Sequence, residues 1–354
     1  MIDSMEFRTF VNRRTRTFKI ASGSSDTEEN VIVKLVSGDD FGVGSGNPTD
    51  VTHETLASME SFLGMVPKKI VGSDENYPDK LHERLDGIAA GNTAAKAAVD
   101  IALFDLLSKR DKKPLYEFLG GKRDRMITDM TIGIESFETT VQRALEHTKS
   151  GFKALKIKVG LDLYEDIRRV SAVRDAVGPK IQLRVDANQG YTVEQAIKFC
   201  EIMETLQVMV VEQPVKAEDY AGLKKVAEAS NVPVMADECA KSVLDARKIA
   251  REGIADMINI KLMKSAGIND AVIINRLAEA ADMGTMIGCM GEIQLSIAAG
   301  LHFALSSDNV LLADLDSHFS IVDDPTSGLV FEDGYLIAPK RCGLGMKTPL
   351  DDQS

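Results

Sequence analysis

The chain has no apolar run approaching the ~20 residues that a bilayer-spanning helix needs. Its first residues, MIDSMEFRTFVNRRTRTF, contain no apolar core of the signal-peptide kind. Cysteine is scarce: Cys200, Cys239, Cys289 and Cys342 lie far apart and form no CxxC pair, which suits reduced thiols in a cytoplasm. Positive charge is in deficit, and a formal net charge of −12 argues against nucleic acid or an anionic membrane as partner. No low-complexity linker is present, and no glycine-rich phosphate loop follows the first repeat strand. What remains is ordinary globular composition, 44% hydrophobic and 27% charged. At ~150 residues per domain, 354 residues allow a large domain and a smaller companion. The expectation is a cytoplasmic globular protein.

From about residue 126 to 316 one unit recurs: a short β-rich run, a polar turn, then an amphipathic helical stretch. The strand candidates are MITDMTIGI (126–134), ALKIKVG (154–160), IQLRVDA (181–187), VMVVEQP (208–214), VPVMADE (232–238), MINIK (257–261), GTMIGCM (284–290) and VLLADLD (310–316). They are rich in Val, Ile, Leu and Met, as parallel strands covered by helices should be. Thr192 and Gln195 fit a capping box that opens a helix. Eight such repeats predict an α/β fold, a (β/α)8-type TIM-like barrel over 126–319. An open doubly wound sheet is the alternative. Residues 1–125, with β-rich runs at 4–13 and 30–36 and a helix at 94–109, read as an α+β capping domain. The segment 320–354, with β-like GLVFEDGYLI, is expected to pack back on it.

A barrel of this kind carries its active site at the C-terminal ends of its strands. The polar residues ending the runs are Lys156 and Lys158, Asp186 and Asn188, Glu212, Asp237 and Glu238, Lys261, and Asp314 and Asp316. Asp186 precedes Glu212 by 26 residues, Glu212 precedes Asp237 by 25, and Asp237 precedes Lys261 by 24. One carboxylate per consecutive strand, in phase with the repeat, brings three acidic oxygens to one rim. With no histidine or thiolate among them, the set suits a hard cation, and Mg²⁺ fits best. The competing reading is that each acid caps the helix after it.

Lys158 and Lys261 lie on opposite sides of the ring. A partly desolvated lysine near other positive charge approaches the ~7–8 range of a general base. Two of them facing each other suit removal of a proton from one face of an α-carbon and its return to the other, through a metal-stabilised enediolate. Lys156 shares the strand face of Lys158 and adds positive charge near the same anion. Asp314 and Asp316 form a like-charge pair that wants a cation, or else a solvated acidic turn.

Together, the Lys-x-Lys of LKIKVG, the Asp of RVDANQGYT, the Glu of VVEQP, the Asp-Glu of MADEC and the lysine of INIKLMKSAG resemble the enolase superfamily, specifically its muconate-lactonizing-enzyme subgroup. The resemblance covers most of the chain. It implies that Asp186, Glu212 and Asp237 bind one Mg²⁺ per subunit and that Lys158 and Lys261 are the acid/base pair, with Asn188 and Glu238 supporting and Lys264 as a weaker second base. A mandelate-racemase-like member would end strand seven with a histidine, where this sequence reads GCMGE. His302 falls in the next helical stretch, as a packed or surface residue.

The Asp314-x-Asp316 pair resembles that of dipeptide epimerases, which implies that it holds a dipeptide's ammonium, with Lys156 also in the substrate site. The expected assembly is a homo-oligomer. Cycloisomerisation, o-succinylbenzoate synthesis and N-acylamino acid racemisation are alternatives on the same machinery, but their substrates offer these aspartates no ammonium. Known relatives that act on L-Ala-Glu use an arginine in the capping loop, where this chain has Gly23 and no Lys or Arg from Ser22 to Asn30. A hydrophobic or cationic substrate side chain is therefore expected, with Ser22, Gly23, Ser24, Ser25 and Asp26 as candidate contacts.

Overall fold

The computed structural model describes residues 1–20, 23–74 and 76–351, with side chains for all of these except 17–20, 23 and 24. The chain begins with an antiparallel meander, β1 (Ser4–Ile20), β2 (Gly23–Ser37) and β3 (Asp40–Gly46). β1 and β2 extend well past their apolar runs because their ladder continues, with one register shift between Arg13 and Phe18, to the Ile20–Gly23 pair. The helix Thr93–Arg110 lies across β3 and is buried along most of its length. Its Ala94, Ala98 and Ala102 recur every four residues, so they share a face. Gly46, Gly44 and Gly42 of β3 meet that face so closely that a Cβ on any of them would overlap the helix carbonyls.

The run 126–134, read as one strand, is two. β4 (Arg125–Ile127) joins a small antiparallel sheet, and β5 (Asp129–Ile132) opens the barrel. The next strands are β6 (Ala154–Lys158), β7 (Gln182–Asp186), β8 (Val208–Glu212), β9 (Val234–Ala236), β10 (Met257–Lys261), β11 (Gly284–Gly288) and β12 (Val310–Asp314). All eight from β5 to β12 are parallel and lie in chain order. Thr128, between β4 and β5, closes the ring through a parallel bridge to Ala313, and its hydroxyl accepts from Leu315 N at 2.9 Å. Each strand is followed by an α-helix except β12, which leads into a single 3₁₀ turn, Ser317–Ser320. The expected (β/α)8-type barrel with an α+β cap is thus the observed fold, its eighth helix reduced to that turn. The capping box at Thr192 and Gln195 is formed.

Alternation along the strands layers the barrel interior. Val210, Met235, Met257, Met286 and Leu312 make an apolar cluster of their own. Two residues further along the same strands stand Glu212, Asp237, Asn259 and Asp314, on the same side as the residues before them. The C-terminal segment divides. The hairpin β13 (Val330–Glu332) and β14 (Tyr335–Ile337) pairs with β4. Residues 343–350 lie against the cap, where Asp105 accepts from Leu344 N at 2.7 Å and Lys34 donates to Leu350 O at 2.8 Å. His302 is packed: its Nδ1 accepts from Tyr116 N at 3.1 Å, its ring stacks on Tyr116, and burial pushes its pKa down to about 4. No helix among the described residues is long and apolar enough to cross a membrane.

The glycine–alanine contact gives a test. Gly44→Ala forces a methyl onto the Ala98 carbonyl and should lower unfolding free energy by about 2–3 kcal/mol in urea melts, the usual size of an overpacking penalty.

Candidate active site

The layer above the apolar cluster is built around one ammonium. Lys156, 1% exposed, reaches Glu212 Oε2 at 2.7 Å, Asp314 Oδ2 at 2.8 Å and Asp186 Oδ2 at 3.1 Å. Burial alone lowers a lysine's pKa, but Asp314, Glu212 and Asp186 overcome it and hold Lys156 well above the usual lysine range. Lys158, the next inward residue of β6, bonds Asp186 Oδ2 at 2.6 Å. Lys261, at the end of β10, bonds Asp237 Oδ2 at 2.8 Å. β6 and β10 are four strands apart in a ring of eight, so these lysines approach from opposite walls with the carboxylates between them. Lys264 also bonds Asp237, through a side-chain oxygen and through the backbone carbonyl at 2.7 Å.

One carboxylate oxygen from each of Asp186, Glu212 and Asp237 lies within 4.8 Å of the other two, close enough to hold one metal ion together. None of the three caps a helix. The helices after β7, β8 and β9 are capped by Thr192, Asp219 and Ser242, so the competing capping reading fails. Burial and the nearby Asp186 push Glu212 up to about 8. Asp237 goes the other way: Lys261 and Lys264 outweigh its burial and hold it well below the carboxylate range. Three buried, oxygen-only donors from rigid strand ends, one of them resisting ionisation, are a set that a small divalent cation fits. Asn188 Nδ2 donates to Glu238 Oε1 at 3.1 Å, while Asn188 Oδ1 and Glu238 Oε2 are buried without a hydrogen-bond partner.

Lys261 does not have the lowered pKa expected from the sequence. Burial lowers it, but Asp237 and Glu212 raise it more, so it is held above the usual lysine range. The depressed lysine is Lys264, where desolvation prevails and Lys261 lies close.

Asp314, which ends β12, and Asp316, two residues beyond it, have different partners. Asp314 is paired to Lys156 and held well below the carboxylate range. Asp316 Oδ2 accepts from Thr131 N at 2.6 Å, its Oδ1 lies 3.7 Å from Cys289 Sγ, and burial with the Asp314 charge raises its pKa. Asp316 does not cap the turn after it. In the β1–β2 hairpin Asp26 is exposed, whereas Glu28 is taken by Arg14, whose Nε donates to it at 2.7 Å. Ser22 and the side chain of Ser24 lie outside the described residues, and Gly23 is described by its backbone alone.

The sequence reading missed several contributors. Asn259 Nδ2 donates to Glu212 Oε1 at 2.8 Å, and Gln213 Oε1 accepts from Asp237 N at 2.9 Å. Glu292 is buried with its pKa pushed up to about 7 by desolvation. Beneath the site, Arg184 bonds Asp129 Oδ2 at 2.7 Å. Asn259 and Arg184 were detectable, since each stands two residues before a named site residue and shares its face. Gln213 acts after its strand ends, and Glu292 from a loop, where no period applies.

Residues 4–120 match the mandelate racemase / muconate lactonizing enzyme N-terminal domain, and residues 139–352 match the enolase C-terminal domain-like model. The chain is 41% identical over 335 residues to a hydrophobic dipeptide epimerase of Enterococcus faecalis, covering 93% of this chain and 95% of that one. It is 38% identical over 339 residues to an L-Ala-D/L-Glu epimerase of Clostridium acetobutylicum, covering 94% of each. Among solved structures, a dipeptide epimerase of Enterococcus faecalis complexed with Mg and L-Leu-L-Tyr superposes with a TM-score of 0.95 and 39% identity, covering 98% of this chain and 99% of that one. The chain belongs to the mandelate racemase / muconate lactonizing enzyme family of the enolase superfamily.

Lys156→Met would leave Asp186, Glu212 and Asp314 facing each other around an apolar side chain. Removing one partner of a buried ion pair costs about 3–5 kcal/mol, so its denaturant midpoint should fall sharply. Added Mg²⁺ should restore part of that loss, which a melt with and without the ion measures directly.

Proposed function

We propose that this chain is a Mg²⁺-dependent dipeptide epimerase that inverts the α-carbon of the C-terminal residue by proton transfer between Lys158 and Lys261. The observation that carries this reading is the placement of those two lysines on opposite walls of the barrel, each bonded to a different acid of one carboxylate triad. Asp186, Glu212 and Asp237 would hold the Mg²⁺. When bound, it supplies positive charge to the substrate carboxylate and to the negative charge that develops as the α-proton leaves.

The chain's own residues do the rest. A neutral lysine on one wall accepts the α-proton as the carbon–hydrogen bond breaks, and the opposing ammonium donates a proton to the other face. One proton leaves and one arrives, so net charge is conserved and the configuration inverts. Lys264 and Gln213 hold Asp237, and Asn259 holds Glu212. Asp314 is already neutralised by Lys156, so the reading assigns the substrate ammonium chiefly to Asp316, whose buried carboxylate gains most from a cation. A hydrophobic or cationic side chain is preferred to an acidic one, because residues 22 to 30 supply no lysine or arginine to hold a substrate carboxylate. The similarity to a hydrophobic dipeptide epimerase supports the hydrophobic choice.

In D₂O with Mg²⁺ and a dipeptide library, one deuterium should enter the C-terminal residue of hydrophobic dipeptides. Lys158→Ala and Lys261→Ala should each reduce epimerisation by about 10³-fold or more, the scale of a lost general base. Asp316→Asn should raise KM for dipeptides while sparing folding. Turnover of N-acyl amino acids, with no exchange into any dipeptide, would overturn the proposal.

A further inference from the structure

The helix Ile268–Glu279 begins three residues after Ser265, on the loop that carries Lys264, and it does not cap itself. Its N-cap residue is Gly267, which has no side chain to offer. The missing acceptor comes from the capping domain. Asp100, on the helix Thr93–Arg110, is fully buried and takes the hydrogen bond of Ile268 N on Oδ2. Its Oδ1 bonds His82 Nε2 at 2.7 Å. Gly267 has φ +116°, and a Cβ there would overlap the Asp100 carboxylate. Position 267 therefore admits glycine alone on two counts, backbone angle and space.

The loop held at that end is short and internally bonded. Gly267 N donates to Leu262 O at 2.9 Å, and Lys264 N and Ser265 N donate to Lys261 O at 2.9 and 3.1 Å. Met263 Sδ accepts from Asn47 N of the cap at 3.3 Å. Lys264 then reaches Asp237. A continuous chain of contacts thus runs from His82 through Asp100, Ile268 and the 262–267 turn to Lys261 and Lys264.

We propose that His82 and Asp100 are positioning residues for the Lys261 wall of the site, a clasp by which the capping domain fixes the loop after β10. The proposal rests on the reading of Lys261 as one of two bases only for its effect on turnover; the clasp itself is independent of that reading. His82 faces Asp100 from the helix Thr93–Arg110, Asp270 from the helix Ile268–Glu279 at 3.9 Å, and Asp86 on its own helix, which is itself paired to Lys96 at 2.6 Å. Burial lowers His82, but Asp100 outweighs it and raises the pKa above the ordinary histidine value. The sign follows: the clasp is complete while His82 is charged, and its contribution is lost as pH rises through the raised pKa.

Two measurements test this. Amide hydrogen exchange, corrected for the intrinsic pH effect and read without substrate, should show protection of residues 262–268 falling as pH rises past His82 titration. In His82→Gln that pH dependence should vanish, and in Asp100→Asn protection should be lower by about tenfold, the worth of one charge-assisted hydrogen bond. Deuterium incorporation from each epimer taken separately reads the two lysines one at a time. Both variants should slow exchange at the Lys261 face by about tenfold while the Lys158 face keeps its rate and KM changes little. If Asp100→Asn does not fold, His82→Gln, which keeps a hydrogen-bond donor facing Asp100, still decides. A pH dependence of 262–268 protection that persists unchanged in His82→Gln, or equal slowing at both faces, overturns the clasp. Absence of exchange in the wild type overturns the epimerase reading and leaves the amide measurement to judge the clasp alone.

Discussion

One buried ammonium organises the site. Lys156 is held by carboxylates from β7, β8 and β12, so three strands that do not all adjoin β6 are fixed to a single point inside the ring. Removing a lysine from water is costly, and only several well-placed acceptors offset it. The acceptors in turn depend on Lys156, because Asp186, Glu212 and Asp314 have little solvent to screen them. This mutual dependence makes the inward layer all-or-none. It also accounts for the apolar layer below, where Val210, Met235, Met257, Met286 and Leu312 exclude water from beneath the cluster.

The capping domain is bound into the same logic from outside. Glu28, paired to Arg14, rests on Gly291 in the loop after β11, where a Cβ would overlap its carboxylate. Asn47 accepts from Gly291 N at 3.0 Å, and Asn30 donates to Gly291 O at 3.3 Å. Arg14 also reaches Ser320 in the turn after β12 at 2.8 Å. Asp100 holds the loop after β10. Strand ends place the chemistry rigidly, whereas loops need an external hold, and here the cap supplies it at three consecutive loops. The β1–β2 hairpin that is proposed to meet the substrate side chain is therefore continuous with the residues that fix the catalytic rim.

Much of this was legible in the chain. The repeat of about 25 residues, the phase of Asp186, Glu212, Asp237 and Lys261, and the Lys156-x-Lys158 alternation follow from period-two strands in a ring. The break at Thr128 was not legible, because MITDMTIGI is uniformly β-prone and only the partner of β4, more than 200 residues away, reveals two strands. The eighth helix was over-read for the converse reason: a strand end implies a connection but not its length. Side-chain commitments across the barrel were invisible too. Nothing in LLADLDSHF says that Asp314 has a lysine from β6 while Asp316 has a threonine amide, yet that division separates the environments of the two aspartates. Nor does the sequence show that Arg14, on the facing strand, takes Glu28.

The charge balance of the rim ties these pieces together. Lys156, Lys158, Lys261 and Lys264 face Asp186, Glu212, Asp237, Glu238, Asp314 and Asp316, so negative groups exceed positive ones by two. Burial and neighbouring carboxylates prevail at Glu212, Glu238 and Asp316, the members whose pKa values rise. Glu212 ends β8 and Glu238 follows Asp237 just beyond β9, where a divalent cation would match the surplus. Asp316 stands apart, beside Thr131 and Cys289, beyond the triad that a cation at Asp186, Glu212 and Asp237 would serve. On the proposed reading a zwitterion would supply what each place lacks: its carboxylate to the metal end and its ammonium to Asp316. A substrate with a carboxylate but no ammonium would leave Asp316 buried against Asp314 without a counter-charge. That penalty disfavours the N-acyl and lactone-forming chemistries of the same family on this barrel.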